Sequence, residues 1–301
     1  MTTAASFRFA AAGGRFSSRS KNDAVRSKIP FTTGPRIIYN VYNTDTGLIF
    51  LYITTLASGS SGNCILVSHG DTRLLVDCGI SCLRVKRALA ALGLSAADLT
   101  GILITHEHSD HISGLETLFK QFHIPVYCTA GTGRQLAYRI AFVDEVLRTV
   151  TPWEPLTLGS VTVTAFATSH DAADSAGYTF EADGRKAAVV TDLGVVTAAV
   201  EQALQGAHLL VAEANHDPDM VKSGPYPYYL KQRILGPRGH LSNADCAALC
   251  ARVGAETVIL AHLSAENNRP SLALETVRAA VGEAVTVSVA PRGETGARWE
   301  V

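Results

Sequence analysis

From residue 49 onward, short apolar runs alternate with turn-forming stretches and with longer segments whose apolar residues recur every three or four positions. The β-branched run over 49–57 predicts a strand, and the turn chemistry of "SGSSGN" (58–63) ends it. Two further strands follow over 64–69 and 72–79, joined at Gly70 and Asp71. A helix is then predicted from an N-cap at Ser81 to a stop at Gly93. Beyond it, strands are predicted over 101–105, 124–129, 161–170, 186–192, 207–213, 257–262 and 284–290. Helices are predicted over 115–122, 133–143, 242–254 and 272–281. Two β-rich stretches, each with flanking helices, point to a layered α/β sandwich. Four of the predicted strands end on or just before a side chain that can bind metal: His106, His170, Asp192 and His262.

Residues 1–48 break this rhythm. Up to Arg36 they hold seven Lys or Arg and a single acid, Asp23, among many Ser, Ala and Gly, with no periodicity. That composition cannot bury a core and predicts a disordered extension, with the folded domain spanning 49–301. An Arg- and Ser-rich start of this kind is also what a transit peptide looks like.

Composition narrows the function classes. The chain is 47% hydrophobic and 18% charged, enough to bury a large core. Its formal net charge of −1 draws it to nucleic acid only if a local patch does so. No apolar run is long enough to span a bilayer. The six cysteines form no C-x-x-C pair, which argues against a zinc ribbon or a thioredoxin-type motif. They are expected to be reduced, buried and small, in a cytoplasmic protein.

The chemistry concentrates in "THEHSDH", residues 105–111, which packs three histidines and two carboxylates behind an apolar strand. The H-E-x-x-H metalloprotease spacing fails, because Asp110 stands where its second histidine belongs. The deaminase pattern fails for want of P-C-x-x-C. In an extended turn His106 and His108 project to one side and suit one cation. Asp110 and His111 suit a second. Divalent ions need further ligands, so the strand-end groups are expected to complete the set. His170 is assigned to the first ion, His262 to the second, and Asp192 bridges them. Two divalent ions, Zn2+ or Mn2+, leave such a site positive and suited to an anionic substrate such as a phosphodiester. Asp77, at the end of "LLVD", is expected to organise the cluster by hydrogen bonds, and Glu107 to sit behind the ligands or face solvent.

"THEHSDH", "TSHD", "VVTDLG" and "LAHLS" together resemble the successive motifs of the metallo-β-lactamase fold hydrolases. "LASGSSGNC", "EANHD", "GHLSN" and "LAHLSAENN" are most similar to its YycJ (WalJ) group. The resemblance covers nearly everything from about Ile49 to Val301. It implies a four-layer αβ/βα sandwich with a dinuclear site along one edge. It further implies metal-dependent phosphodiester hydrolysis, with 5′-to-3′ DNA exonuclease activity foremost and DNA as the partner. By the same resemblance His240 is the general acid, and Asp110 joins it as a catalytic candidate. Asn63, His216, Lys231, Arg233 and Arg238 are candidate substrate contacts; the last three lie in a stretch that interleaves basic residues with Tyr226, Tyr228 and Tyr229. The alternatives are hydrolysis of a small thioester, lactone or cyclic phosphodiester, and a metal-stabilised scaffold without activity. Neither strand polarity on a nucleic acid nor oligomeric state follows from the residues themselves.

Overall fold

The computed structural model of the chain describes residues 49–301, so the predicted N-terminal extension lies outside the described residues. The first half holds β1 (Tyr52–Ala57), β2 (Cys64–His69), β3 (Thr72–Val76), α1 (Cys82–Ala91), β4 (Gly101–Leu103), α2 (Ser109–Ile112), α3 (Leu115–Phe122), β5 (Val126–Cys128), α4 (Ala130–Arg139) and β6 (Leu147–Thr149). The second half holds β7 (Pro155–Leu158), β8 (Val161–Ala167), β9 (Ala176–Ala182), β10 (Arg185–Val190), α5 (Ala198–Leu204), β11 (Leu209–Glu213), α6 (Pro218–Ser223), α7 (Tyr228–Leu235), α8 (Asn243–Val253), β12 (Thr257–Ala261), α9 (Pro270–Val281), β13 (Thr286–Val289) and β14 (Arg298–Glu300).

The strands build two seven-stranded sheets. One runs β14-β1-β2-β3-β4-β5-β6 and the other β13-β12-β11-β10-β9-β8-β7. Each is antiparallel through its hairpins and parallel where helices make the crossovers. The period of two sorts side chains between layers. In β10 and β11, Ala187, Val189, Leu209 and Val211 join the core between the sheets, while Ala188, Val190, Leu210 and Ala212 pack under α5, α8 and α9. On the first sheet, Leu74 and Val76 face the other sheet, while Leu75 packs under α1, α3 and α4. The result is the expected four-layer α/β sandwich.

Local signals explain most boundaries. Ser81 caps α1 by accepting from the Arg84 amide, and Ser242 caps α8 by accepting from Asp245. Across the inter-sheet core the buried Tyr178 hydroxyl donates to the Ile104 carbonyl at 2.8 Å, tying β9 to the chain just after β4. At the end of the sandwich away from the histidine cluster, His69 meets Ser160 Oγ at 2.8 Å and Asp183 at 2.9 Å, joining three hairpin turns. All six cysteines are free and buried, and Cys246 and Cys250 stack one turn apart on α8 with sulfurs 3.9 Å apart.

Several elements differ from the expectation. β6, β7, β9 and β14 are not among the predicted strands: β6, β7 and β14 are only three or four residues long, too short for a pattern to stand out, and β9 is buried on both faces along most of its length. β9 contains Gly177, required because a Cβ there would lie 2.4 Å from the Phe166 ring. The helix expected over 133–143 starts and ends earlier, at Ala130 and Arg139, because the chain turns through Phe142 at a φ of 66°. The strands before the candidate ligands stop one to three residues short of them, at Leu103, Ala167, Val190 and Ala261.

Candidate metal centre

Strand ends from both sheets meet along one edge. β3 delivers Asp77, β4 the 106–111 segment, β8 His170, β10 Asp192, β11 Glu213 and β12 His262. Three of these side chains leave their strands through left-handed backbone: Asp77 (φ 62°), Asp192 (φ 56°) and His262 (φ 54°). A non-glycine residue there is strained, and the strain is offset by contacts that aim its side chain inward.

The histidines are oriented from behind. His111 Nδ1 donates to Asp77 Oδ2 at 2.7 Å, and His262 Nδ1 to Glu213 Oε1 at 2.8 Å. His170 Nδ1 donates to the Gly239 carbonyl at 3.0 Å. His106 Nδ1 meets Thr105 Oγ1 at 3.0 Å, and that hydroxyl donates in turn to Asp77. With each Nδ1 engaged, these four rings turn an Nε2 lone pair inward. His108 is reversed: its Nδ1 lies 2.9 Å from His106 Nε2 and 3.3 Å from His170 Nε2.

The inward atoms fall into groups that fit a cation. His106, His108 and His170 form one, and Asp110, His111 and His262 another, with all ligand atoms of a group within 4.8 Å of one another. Asp192 stands between them, Oδ2 3.2 Å from His111 Nε2 and Oδ1 3.6 Å from His170 Nε2. The fit has an independent mark: Asp192 Oδ2 and His262 Nε2 are buried without a hydrogen-bond partner. Buried polar atoms without partners are costly, and a cation between these groups would satisfy both.

Electrostatics point the same way. Burial pulls the His262 pKa down, but the neighbouring carboxylates, Asp192 foremost and then Asp110 and Glu213, outweigh it, and the pKa is pushed up to about 10. Burial raises Asp192, yet the surrounding histidines hold it well below the usual carboxylate range. Burial likewise raises Glu213, and His240 and His262 bring it down to about 2. Burial, reinforced by neighbouring histidines, lowers His106. Protons and metal ions therefore compete for the same lone pairs.

The other candidates take varied places. His240 Nδ1 donates to Glu213 Oε1 at 2.8 Å beside His262 and His170. Burial lowers its pKa, but Glu213 and Asp192 bring it net above its ordinary value. Asn63 Nδ2 lies 3.2 Å from His111 Nε2, at the second group. His216 is buried, with Nδ1 unpartnered. The three basic candidates have intramolecular partners: Lys231 donates to the Lys222 carbonyl, Arg233 to Asp171, and Arg238 to the carbonyls of His170 and Ala172. Glu107 is buried and accepts from the Ala173 amide.

Two residues escaped the sequence reading. Glu213 serves His240, His262 and the amides of Leu193 and Leu241. Its signal was the one that exposed Asp77, an acid closing an apolar strand. Asp171 lies 3.2 Å from His170 Nε2 and is held by Arg233.

Residues 72–263 match the family model described as the beta-lactamase superfamily domain. The chain belongs to that superfamily. It is 37% identical to exodeoxyribonuclease YycJ of Bacillus anthracis over 231 residues, which cover 75% of this chain and 88% of that one. It is also 37% identical to exodeoxyribonuclease WalJ of Streptococcus pneumoniae, covering 74% and 85%. The crystal structure of the metallo-beta-lactamase fold protein YhfI from Bacillus subtilis shares the fold, with a TM-score of 0.66 at 20% identity over 84% of this chain and 100% of that one. This beta-lactamase superfamily member is an enzyme, a hydrolase of a metal-dependent family. Among the described residues no helix is long and apolar enough to cross a membrane.

Proposed function

We propose that this hydrolase is a phosphodiesterase that degrades DNA from the 5′ end in the cytoplasm, using two divalent cations, Zn2+ or Mn2+. The observation that carries the reading is the convergence of two ligand groups that share Asp192, with buried unpartnered atoms on Asp192 and His262. His106, His108 and His170 would hold one ion, Asp110, His111 and His262 the other, and Asp192 both. When bound, the ions would polarise the phosphoryl oxygens and make water more acidic. The curated relatives named exodeoxyribonucleases support DNA as the substrate. Six free, buried cysteines suit a reducing compartment.

The chain's own part in the chemistry falls to His240 and Glu213. Phosphodiester cleavage leaves an alkoxide that must be protonated. Glu213 fixes the His240 ring through Nδ1 and favours its charged form, leaving Nε2 to carry the proton. Asp110 contributes charge as well as ligation, since burial would raise it but His111 and His262 keep it ionised.

Purified protein is expected to hydrolyse bis(p-nitrophenyl) phosphate and DNA with Mn2+ or Zn2+, and His108→Ala to abolish both. DNA labelled at either end would read polarity, with label released first from the 5′ end. Undiminished turnover by His108→Ala would overturn the scheme.

A further inference from the structure

The two ligand groups are held from behind in different ways. In the second, a buried carboxylate backs each histidine: Asp77 accepts from His111 Nδ1 and Glu213 from His262 Nδ1. In the first, the rings rest on neutral partners. His106 Nδ1 meets the Thr105 hydroxyl, and His170 Nδ1 donates to the Gly239 carbonyl. His108 Nε2 has Asp171 Oδ1 no nearer than 4.0 Å. The ligands of the first group also come from two segments far apart in sequence, 106–108 and the residues around 170. The side chain that joins those two segments is Glu107.

Glu107 stands between His106 and His108, yet its carboxylate belongs to none of the ligand groups and is buried. Its Oε1 accepts from the Ala173 amide at 2.9 Å, three residues past His170. Its Oε2 is buried and has no hydrogen-bond partner. A buried carboxylate oxygen without a partner is costly, so an apolar side chain would fill this place more cheaply. What an apolar side chain could not supply is the acceptor for the Ala173 amide. Helix α4 completes the brace. At its C-terminal end Arg139 Nη1 donates to the Glu107 carbonyl at 2.7 Å. At its N-terminal end Asp174 Oδ2 accepts from the Gly131 amide at 3.0 Å, and the Asp174 carbonyl accepts from the Thr129 and Thr132 hydroxyls at 2.6 and 3.1 Å. Each ligand-bearing segment is thus docked on one end of the helix, and the Glu107–Ala173 bond ties the two directly.

We propose that Glu107 is a positioning residue for the first ion: it fixes the 106–108 segment to the 170–174 segment on α4 and so presets the spacing of His106, His108 and His170. This rests on the two-ion reading of the centre and adds to it a residue that governs one ion and not the other. The second group is braced elsewhere, by Asp77 and Glu213 behind its rings and by the Asn63 amide, which donates to the Asp110 carbonyl at 2.8 Å.

The test is calorimetric titration of full-length protein, stripped with EDTA, with Mn2+, which reads ion binding without turnover. Wild type should show two binding events. Glu107→Ala should weaken one of them roughly tenfold or more, the scale of losing a group that orients metal ligands, and leave the other unchanged. Glu107→Gln keeps an oxygen to accept from the Ala173 amide and should bind both ions as wild type does. Arg139→Ala, at an exposed position of α4, removes the other tie to the same segment and should weaken the same ion; it carries the test should Glu107→Ala fail to fold. His108→Ala identifies the affected event. With the first ion already lost, adding Glu107→Ala should not change the affinity for the ion that remains. A folded Glu107→Ala variant that binds both ions as wild type does, an Arg139→Ala variant that does so, a loss that falls on both ions alike, or a glutamine variant as weak as alanine would each overturn the inference. A wild type that takes up fewer than two ions would instead remove the two-ion reading itself.

Discussion

Glu213 takes two histidines on one carboxylate oxygen and two backbone amides on the other, which makes it the most consequential single side chain outside the ligand groups. Its effect on His240 has a definite sign. Burial alone would lower the His240 pKa, and Glu213 is the largest influence raising it. Glu213→Gln should therefore move the alkaline limb of the pH–rate profile for kcat to lower pH, because the proton donor empties sooner. An unmoved limb would separate Glu213 from the proton transfer. Glu213 and His262 together set a stability window in metal-free protein. His262, raised from 6.5 to about 10, stabilises fully below pH 6.5 and loses that contribution as pH rises through about 10. Glu213, lowered from 4.5 to about 2, stabilises above pH 4.5 and loses its contribution as pH falls through about 2. The Tm difference between wild type and Glu213→Gln in EDTA should be greatest between pH 4.5 and 6.5, as calorimetry would show. A difference that does not vary with pH would mean that the carboxylate matters only for packing.

At the scale of elements, the loops that carry the ligands are braced by close backbone contacts. A Cβ on Gly79 would lie 1.6 Å from the Asp110 carbonyl oxygen, so Gly79→Ala must displace the segment that bears Asp110 and His111. We expect that variant to keep its far-UV circular dichroism while losing most of its metal affinity; unchanged affinity would show that the loops yield more readily than their packing implies. These loops also explain what could be read in advance. Apolar runs with clear turn chemistry, such as those of β2, β3, β11 and β12, were legible because burial on both faces demands continuous apolar sequence. β9 was not, since its glycine answers to Phe166, a contact made across the sheet. The candidate ligands could be listed from residue type and position after a strand. Their directions could not, because left-handed φ at Asp192 and His262 is set by tertiary contacts rather than by local propensity. Glu213 and Asp171 went unread for the same reason: their roles exist only once distant segments meet. Arg233 and Arg238 are candidate substrate contacts by sequence alone; their partners within the fold, Asp171 and the carbonyls of His170 and Ala172, become visible only in the structure.

Across the molecule, two sheets contribute to one edge, and neither supplies a full set of groups alone: Asp110 and His111 follow β4, while Asp192 and His262 follow β10 and β12. Cation binding should therefore clamp the sheets together, and chelation should lower Tm by an amount that grows with the metal concentration of the reference sample. Nucleic-acid affinity should also weaken by roughly tenfold between 50 and 200 mM salt if a few basic groups neutralise phosphates, and a flat response would exclude such contacts. The most direct measurement is the metal stoichiometry of the folded chain. Protein stripped with EDTA, titrated calorimetrically with Mn2+ or Zn2+ and assayed by elemental analysis, should take up two ions per chain, release protons on binding, and fall to one ion or fewer in His108→Ala with loss of bis(p-nitrophenyl) phosphate hydrolysis. A wild-type chain that binds no divalent ion, or one that keeps full activity with the centre empty, would contradict it.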